Sequence, residues 1–428
     1  MALFAKPILR MTAVLAALLP VITIAADWQT EVDQRVQNVN DKVIELRHHF
    51  HAYPELSNQE FKTAQKIAAE LSALGFDEVQ TGVAGTGVIG ILKGSKPGPT
   101  VALRADMDAL PVTEKTGLPF ASTVTTEWRG TETGVMHACG HDAHMAILLG
   151  AAEVLAGIRD QIPGKIKFIF QPAEEGPGGA DVMVAEGVLR DTGAIFGLHV
   201  FPAPAGMIMY KPEGFMAAAD TFSVVVKGVQ THGSMPWKGV DPIAVSAQII
   251  NNLQTIVSRQ IDVSKAPAVV SIGSINGGNR NNIIPEEVVM SGTIRTLDMA
   301  MRADVHERIK RTVKLTAESF GATAEATIPD GVPVTANDVE LTRQMAPVLK
   351  RAAADGNAQL VKPIMGAEDF SFFANEIPAL FFGLGVAADG EVDGAANHSP
   401  YFYVNDKALS HGVKAMSSLA LEWLHSQQ

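Results

Sequence analysis

The sequence predicts an α/β main domain that carries an inserted two-layer α+β domain. The chain has 428 residues, which is too long for a single hydrophobic core, so two domains are expected. Short apolar runs alternate with helical stretches over most of the chain, as in folds where helices pack on a sheet. From about Gly214 to residue 330 this rhythm changes to a compact unit that is richer in strands.

The main domain is predicted to begin with helices. The segment "SNQE", residues 57–60, is a capping-box pattern, which indicates the start of a helix. Apolar residues then recur at helical spacing as far as Gly75, a residue typical of a helix end. They are Phe61, Ala64, Ile67, Ala68, Leu71 and Leu74.

Five apolar runs are predicted to form the sheet of the main domain. They are "VIGIL", "TVALR", "KIKFIF", "AIFGLHV" and, near the C-terminus, "ALFFGLG". Helical stretches such as "HMAILLGAAEVLAG" lie between them, so a largely parallel sheet is expected.

The inserted domain is predicted over residues 214–330, between main-domain segments 27–213 and 331–428. A strand, "TFSVVVKG", is followed by a helix that begins with Asp241-Pro242, a typical helix start. Two strands, "AVVSIGSI" and "VVMSGTIRT", a helix over residues 302–320 and a strand, "ATAEATI", complete a β-α-β-β-α-β unit.

Residues 1–26 have the pattern of a secretory signal peptide. Lys6 and Arg10 precede the apolar run "MTAVLAALLPVITIAA", which ends in small residues before Asp27. The alternative is an N-terminal membrane anchor, although the run is short for a membrane span. We therefore expect an exported protein, periplasmic or secreted, with no stable membrane insertion after removal of the signal.

Charge and cysteine content restrict the partners further. The net charge of −12, without any basic cluster, argues against nucleic acid or an anionic membrane surface. Cys139 is the single cysteine, so an exported chain has no second thiol for an internal disulfide. Cys139 is expected to be buried, joined to another chain or bound to a metal.

Chemically reactive side chains follow the predicted strands, where open α/β sheets place their sites. A lone histidine at a strand end is usually structural, and a Glu-Glu pair is usually solvated. Five such positions at one edge of a sheet nevertheless favour a functional site. They are Asp106 and Asp108 after one strand, Glu174 and Glu175 after another, His199 at a third, "HACGHDAH" (137–144) before a helix, and His398 in a C-terminal loop.

The mixture of imidazole, thiolate and carboxylate groups suits a divalent cation such as zinc. Two such ions can share a ligand, generate a hydroxide at neutral pH and polarise a carbonyl group. In the doublet 174–175, one carboxylate can bind metal while its neighbour remains free as a general base. The segment around Cys139 alone leaves three interpretations open: a metal ligand, a redox thiol and a buried core cysteine.

Seven motifs, in order along the chain, resemble the amidohydrolase branch of the M20 metallopeptidases. They are "RADMDALP", "HACGHDAH", "QPAEEGPGGA", "GLHV", "NNIIP…SGTIRT", "GAEDFS" and "NHSP". That branch contains N-acyl-amino-acid amidohydrolases, hippurate hydrolases and carboxypeptidases that act on blocked amino acids. The resemblance covers essentially the whole mature chain. It implies a zinc-peptidase-like catalytic domain with an inserted lid and dimerisation domain.

The resemblance also implies roles for individual residues. Five of them would be the ligands of two divalent metal ions: Cys139, His141, Glu175, His199 and His398. Cys139 would bridge the two ions, at the place where related M20 branches use an aspartate. Glu174 would be the general base, and Asp108 would orient a ligand. Asp106 falls where other M20 branches place a histidine ligand.

In the inserted domain, "THGSMPWKGVDP" resembles the family's lid segment. His232 would stabilise the oxyanion, either within its own chain or from the partner subunit. Asn282 and Arg295 resemble lid residues that bind a substrate carboxylate, although Arg295 can also be a surface charge on a strand. The sequence departs from the family pattern at 229–231, where Val-Gln-Thr replaces a glycine-rich approach. It also departs at Trp237, where a second histidine is common, and this change would reshape the acyl pocket.

The remaining histidines and acids are expected to support the structure. They are His48, His49 and His51 in "LRHHFHAYPE", His137 and His144 beside the predicted ligands, and Glu368 and Asp369 in "GAEDFS". The two acids are expected to brace the site through hydrogen bonds.

Hydrolysis of the amide bond of N-acyl or N-aroyl amino acids is the leading hypothesis. A metallocarboxypeptidase or dipeptidase on the same scaffold is the alternative, because both activities cut an amide bond beside a free carboxylate. An exported metal-binding or solute-binding protein is a third hypothesis, but binding alone gives Glu174 no role. Zinc is the expected metal, with manganese, cobalt or nickel as alternatives. A homodimer through the inserted domain is expected from the resemblance and from an exposed strand edge.

Overall fold

The structure is a computed structural model that describes residues 23–428. Residues 1–22, and with them most of the predicted signal peptide, lie outside this part of the chain. Side chains are described from Trp28 onward. None of the helices in the described range has the length and hydropathy that a membrane span needs.

Nine α-helices and eighteen strands are found within residues 23–428. The helices are α1 (Thr23–Ala52), α2 (Phe61–Ala73), α3 (His141–Ala156), α4 (Ala180–Ala185), α5 (Pro242–Thr255), α6 (Met299–Ser319), α7 (Val339–Ala352), α8 (Ser371–Ala374) and α9 (Leu409–Ser426), besides short 3-10 and π turns. The strands are β1 (Glu78–Val83), β2 (Gly87–Lys93), β3 (Lys96–Asp106), β4 (Thr125–Trp128), β5 (Thr131–Gly134), β6 (Pro163–Gln171), β7 (Ala194–Phe201), β8 (Ile208–Tyr210), β9 (Glu213–Met216), β10 (Ala218–Lys227), β11 (Thr231–His232), β12 (Ala268–Gly277), β13 (Ile283–Ile284), β14 (Glu287–Thr296), β15 (Thr323–Thr327), β16 (Thr335–Asn337), β17 (Ala358–Leu360) and β18 (Ala379–Gly385).

An eight-stranded mixed sheet forms the main domain, in the order β1-β2-β6-β3-β7-β18-β8-β17. Its central strands β6, β3, β7 and β18 are parallel, as the alternation of strands and helices predicts. The prediction of a largely parallel sheet was wrong at the flanks, where β1–β2, β2–β6 and β18–β8 pair antiparallel. Residues 84–86 join β1 to β2 directly, and a connection this short permits only an antiparallel pair.

Alternate residues of the central strands pack on opposite faces of this sheet. In β3, Leu103 contributes to the core formed with α1, α3 and α9, whereas Ala102 contributes to a second core formed with α4 and α8. Both residues are fully buried, which explains the continuous apolar run in the sequence. The domain therefore has three layers, and the carboxyl ends of its parallel strands share one edge.

The inserted domain has two layers. Its antiparallel sheet has the order β12-β14-β10-β15, and α5 and α6 share its hydrophobic core. Asp241 caps α5 by accepting hydrogen bonds from the backbone N–H groups of Ile243 and Ala244. The α/β fold class with an inserted α+β domain, and the order β-α-β-β-α-β, are as the sequence predicts.

The capping box predicted for "SNQE" does not form. Helix α2 begins at Phe61, and Glu60 makes no side-chain capping bond. Glu55 accepts hydrogen bonds from backbone N–H groups in the first turn instead. Ser57 donates to Asp108, so the local pattern was outweighed by a long-range contact with the functional site.

A buried ionic network contains His51, one of the histidines predicted to be structural. His51 Nδ1 lies 2.8 Å from Asp142 Oδ2, and its Nε2 lies 3.0 Å from Glu114 Oε1. Arg47 Nε donates to the same Asp142 oxygen at 2.9 Å. Burial lowers the pKa of His51, but the two carboxylates outweigh burial and raise that pKa to about 9. His51 is therefore a charged structural group at neutral pH.

His51→Gln should destabilise the protein most at neutral and mildly acidic pH. The folded-state pKa of about 9 lies above the unfolded value of about 6.5. Protonated His51 therefore stabilises the fold fully below pH about 6.5, and this contribution is lost as the pH rises through about 9. The Tm difference between wild type and His51→Gln, measured by calorimetry, should shrink across this range. A Tm difference that stays constant, or equals that of the exposed neighbour variant His49→Gln, would contradict the assignment.

Candidate metal centre

The reactive side chains predicted from the sequence meet at the carboxyl edge of the parallel strands. The ends of β3, β6 and β7 deliver Asp106, the doublet 174–175 and His199 to this edge. Helix α3 begins at His141, so Cys139 lies in the turn before the helix. Sheet topology thus explains why residues far apart in sequence form one site.

Cys139 lies at the centre of the site. Its Sγ is 3.3 Å from His199 Nε2 and 3.3 Å from His398 Nε2. Potential ligand atoms of Cys139, His141 and His199 lie within 4.8 Å of one another, and so do those of Cys139, Glu175 and His398. The structure therefore brings all five predicted ligands together, with the thiol shared by two groups of three donors.

Left-handed backbone conformations occur at three positions in the site. The φ angle is 97° at Gly140, 54° at Ala173 and 69° at His398. A Cβ atom at position 140 would lie 2.3 Å from Val200 Cγ2, so only glycine fits between Cys139 and the start of α3. Such conformations cost about 1–3 kcal/mol at non-glycine residues and concentrate at functional sites.

Asp108 contacts both a predicted ligand and the glutamate doublet. Its Oδ1 lies 3.3 Å from His141 Nδ1. Its carboxylate accepts hydrogen bonds from the backbone N–H groups of Glu174 and Glu175, at 3.1 and 3.0 Å, and from Ser57 Oγ at 2.6 Å. Asp108 thus occupies the position that an orienting carboxylate needs, because partners behind the ligands fix their geometry.

The donor set fits divalent cations. His141 is fully buried, and its Nε2 has no hydrogen-bond partner among the described residues. Burial, together with repulsion from Glu368, Asp369 and Glu175, raises the pKa of Glu174 well above its usual range. A divalent cation would offset this crowding of negative charge, and the thiol, imidazole and carboxylate donors are those that zinc prefers.

Arg104 holds three carboxylates of the site in place, and this role was not predicted from the sequence. Its Nη1 lies 2.8 Å from Asp106 Oδ2, and its Nη2 lies 2.9 Å from Glu368 Oε1 and 3.0 Å from Asp369 Oδ1. The prediction that Glu368 and Asp369 brace the site through hydrogen bonds is confirmed. The spacing of Arg104 and Asp106 in one strand was the available signal, because residues two apart share a face.

Arg104→Met should lower the free energy of unfolding by about 3–5 kcal/mol, because it leaves three carboxylates buried without their cation. Chemical unfolding of the metal-free protein measures this loss without interference from metal binding. Arg351→Met, which removes a half-exposed ion pair with Glu422, is the control and should leave the unfolding midpoint nearly unchanged. Equal midpoints for the two variants would show that the buried cluster does not depend on Arg104.

Asp106 and His144 are hydrogen-bonded to each other and to further groups of the site. His144 Nδ1 lies 2.6 Å from Asp106 Oδ1, and its Nε2 accepts a hydrogen bond from the backbone N–H of Val200 at 2.9 Å. These two residues also lie within ligand distance of His141, but the second carboxylate oxygen of Asp106 is bound to the guanidinium described above. His137 is buried, and neither of its ring nitrogens has a hydrogen-bond partner within residues 23–428.

The predicted lid residues do not meet the metal donors. Strands β11 and β13 pair, which places His232 opposite Ile283 and beside Asn282. His232 and Asn282 are exposed, and Arg295 donates to the carbonyl of Ile294. In the part of the chain that the structure describes, no hydrogen bond or ion pair links these lid residues to the donors around Cys139. Their roles stay predictions.

Comparison with known proteins identifies the family of this chain. The family model "Peptidase family M20/M25/M40" matches residues 102–422. "Thermostable carboxypeptidase 1" of Saccharolobus solfataricus is 41% identical over 402 residues, which cover 93% of this chain and 99% of that protein. "N-acetyl-L-cysteine deacetylase" of Bacillus subtilis is 38% identical over 377 residues, which cover 87% of this chain and 86% of that protein.

A solved structure shows the same fold. The YXEP protein of Bacillus subtilis, described as a dinuclear metal binding peptidase from the M20 family, has a TM-score of 0.78 and 35% sequence identity. The match covers 91% of this chain and 99% of that chain. The extent of the family match and the full-length similarity to these proteins show that the chain belongs to the peptidase family M20/M25/M40.

Proposed function

We propose that the protein is a binuclear metal-dependent hydrolase that cleaves the amide bond of N-acyl amino acids and releases an amino acid and a carboxylic acid. The observation that carries the proposal is the Cys139 thiol, shared by two groups of donors beside the carboxylate of Glu174. The similarity to a deacetylase of an N-acyl amino acid supports this substrate class.

The five predicted ligands, Cys139, His141, Glu175, His199 and His398, would hold the two ions. When bound, the ions supply an acidified water as nucleophile and a Lewis acid for the acyl carbonyl. Glu174 takes the proton from the attacking water and passes it to the amide nitrogen as the C–N bond breaks, which restores the carboxylate. Asp108 keeps the backbone of the doublet in place.

Zinc is the metal we propose for this site. A donor set of one thiol, three imidazoles and one carboxylate suits zinc better than magnesium or calcium, which take oxygen ligands. Manganese, cobalt and nickel are the alternatives, because imidazole and carboxylate donors accept all of them. Metal analysis of protein purified without chelators identifies the ion.

The inserted domain is proposed to bind the substrate's free carboxylate through Asn282 and Arg295, with His232 at the oxyanion. The planar guanidinium of arginine matches a carboxylate in geometry and charge. Because His232 and Asn282 are neighbours on one exposed surface, a single movement of the inserted domain, or a partner subunit, would deliver both to the site.

A homodimer through the inserted domain is part of this proposal. Strand β12 lies at the edge of its sheet, and Val269 and Ile275 on it are 43% and 49% exposed. An uncovered edge strand offers backbone groups for pairing with another chain. Light scattering should give the mass of a dimer, and a monomer at assay concentration would remove this part of the proposal.

A carboxypeptidase or dipeptidase is the second candidate, because one close relative is named a carboxypeptidase. A screen of metal-reconstituted protein on N-acetyl and N-benzoyl amino acids, with unblocked dipeptides beside them, separates the two activities. We expect kcat/KM for the blocked amino acids to exceed that for dipeptides by at least about tenfold. Faster cleavage of dipeptides would favour the second candidate. A lack of any hydrolysis with two ions bound would favour a binding protein.

Export to the periplasm or medium is proposed from the pattern of residues 1–26 alone. Expression of the full chain in a bacterium, followed by mass spectrometry of the periplasmic fraction, tests it. We expect a mature N-terminus near Asp27, whereas an intact N-terminus in the cytoplasm would contradict the proposal.

A further inference from the structure

A cavity of 460 Å³ opens directly onto the metal centre. Cys139, Glu174, Glu175, His199 and His398 line its inner side. The remaining wall is largely apolar, and its side chains belong to Phe201, Pro202, Met216, Ile364, Ala367 and Ala396. Pockets of this volume accommodate small organic ligands, so the cavity has room for one end of a substrate larger than an acetyl group.

Apart from the metal donors and Glu174, the one polar side chain that residues 23–428 contribute to this cavity, Asn397, already has hydrogen-bond partners. Among the described residues that line it, none is lysine or arginine. The side-chain amide of Asn397 donates to the backbone carbonyls of Cys139 and Val200, at 3.1 and 3.2 Å. A substrate carboxylate buried against the apolar wall, away from the metal donors, would lack a cationic partner, which is costly. The part of the substrate that contacts this wall is therefore expected to be apolar.

Backbone hydrogen bonds fix the position of Ile364 in the apolar wall. Ile364 N–H donates to the Phe215 carbonyl at 2.8 Å, and the Ile364 carbonyl accepts from Ala217 N–H at 3.0 Å. Ile364 is thereby joined to Met216 in a parallel bridge, at the end of strand β9, where the chain enters the inserted domain. The backbone of the wall is fixed by these bonds, so the size of the Ile364 side chain can change without loss of the bridge.

We propose that this cavity is the acyl pocket, that it selects aromatic over small acyl groups, and that Ile364 sets its size. This inference rests on the proposed function, because it assigns one end of an N-acyl amino acid to the cavity. Aroyl groups bury more apolar area than an acetyl group, so they gain more from the wall. Trp237, which the sequence suggested as a determinant of the acyl pocket, is 76% exposed and does not line this cavity.

Size changes at Ile364 in both directions test the proposal. The substrates are N-acetylglycine, N-benzoylglycine and N-(2-naphthoyl)glycine, assayed with the metal-reconstituted protein. Ile364→Phe should lower the benzoyl-to-acetyl ratio of kcat/KM by about tenfold or more, because one or two methylenes in an apolar pocket change selectivity by about 10–200-fold. Ile364→Ala should raise the naphthoyl-to-benzoyl ratio by a similar factor.

Ile377 provides the matched control. It is a partly buried isoleucine that packs against the same hydrophobic cluster as Ile364, but it does not line the cavity. Ile377→Phe and Ile377→Ala should leave both ratios at their wild-type values. Calorimetric binding of benzoate and of acetate to each variant gives a second readout. Ile364→Phe should weaken the binding of benzoate more than the binding of acetate.

The outcomes separate this inference from the proposed function. If wild type cleaves the N-acylglycines and the ratios in the Ile364 variants equal those in the Ile377 variants, the acyl pocket lies elsewhere while the function stands. A wild type that prefers acetyl over benzoyl would also overturn the selection of aromatic groups. If wild type cleaves none of the three substrates with metal bound, the proposed function itself is wrong.

Discussion

Replacement of Glu174 by glutamine should lower kcat/KM for N-acyl amino acids by about 10²–10⁴-fold, the usual contribution of a general acid–base group. Glutamine has nearly the same size as glutamate and keeps the backbone hydrogen bond to Asp108, but its amide cannot accept and return a proton. The bound metal should be unchanged, because the ligand role falls to the neighbouring Glu175.

Glu127→Gln, at an exposed position on the hairpin of β4 and β5, is the control for this experiment. It makes the same change of charge far from the catalytic chemistry proposed here, and its kcat/KM should equal that of wild type. Metal analysis of all three proteins should be run in parallel with the assays. A Glu174→Gln protein that retains two ions and full activity would remove Glu174 from the mechanism.

Replacement of Cys139 by serine should cost metal and activity together. Partners behind a metal ligand already contribute about 10–100-fold to metal affinity, so we expect loss of a shared ligand to cost more than about 100-fold. Serine is close to cysteine in size, so the fold should persist. Equilibrium dialysis against a competing chelator gives the affinities.

Cys139→Asp is the informative partner variant. A carboxylate can contact two cations, whereas a neutral hydroxyl holds them poorly. If the thiol is a shared ligand, the aspartate variant should retain more metal and activity than the serine variant. If Cys139 is only a buried core residue, the order should reverse, because a buried uncompensated charge is far more costly than a buried hydroxyl.

Much of the site could be predicted because its residues sit next to strongly patterned segments. His199 ends an apolar strand, and Glu174 and Glu175 follow another, so their positions depend on sheet topology alone. The turn that carries Cys139 is fixed by Gly140, whose left-handed φ and contact with Val200 exclude a side chain. Local sequence and local structure agree at these positions.

Other features depend on contacts that no local pattern encodes. Ser57 matches a capping box, yet its hydroxyl donates to Asp108, in the segment that follows β3. Arg104 looks like an ordinary charge in an apolar run until Glu368 and Asp369 are seen around it. The distance of His232 from the metal donors depends on how two domains are arranged, and the motif around His232 carries no information about that arrangement.

The central claim is that Cys139 lies between two metal ions. The most direct measurement is anomalous diffraction, at the absorption edge of the bound metal, from crystals of metal-reconstituted protein. The account predicts two anomalous peaks per chain, both in contact with Cys139 Sγ, one also contacting His199 and the other His398. A single peak, or two peaks of which at most one contacts Cys139 Sγ, would contradict it.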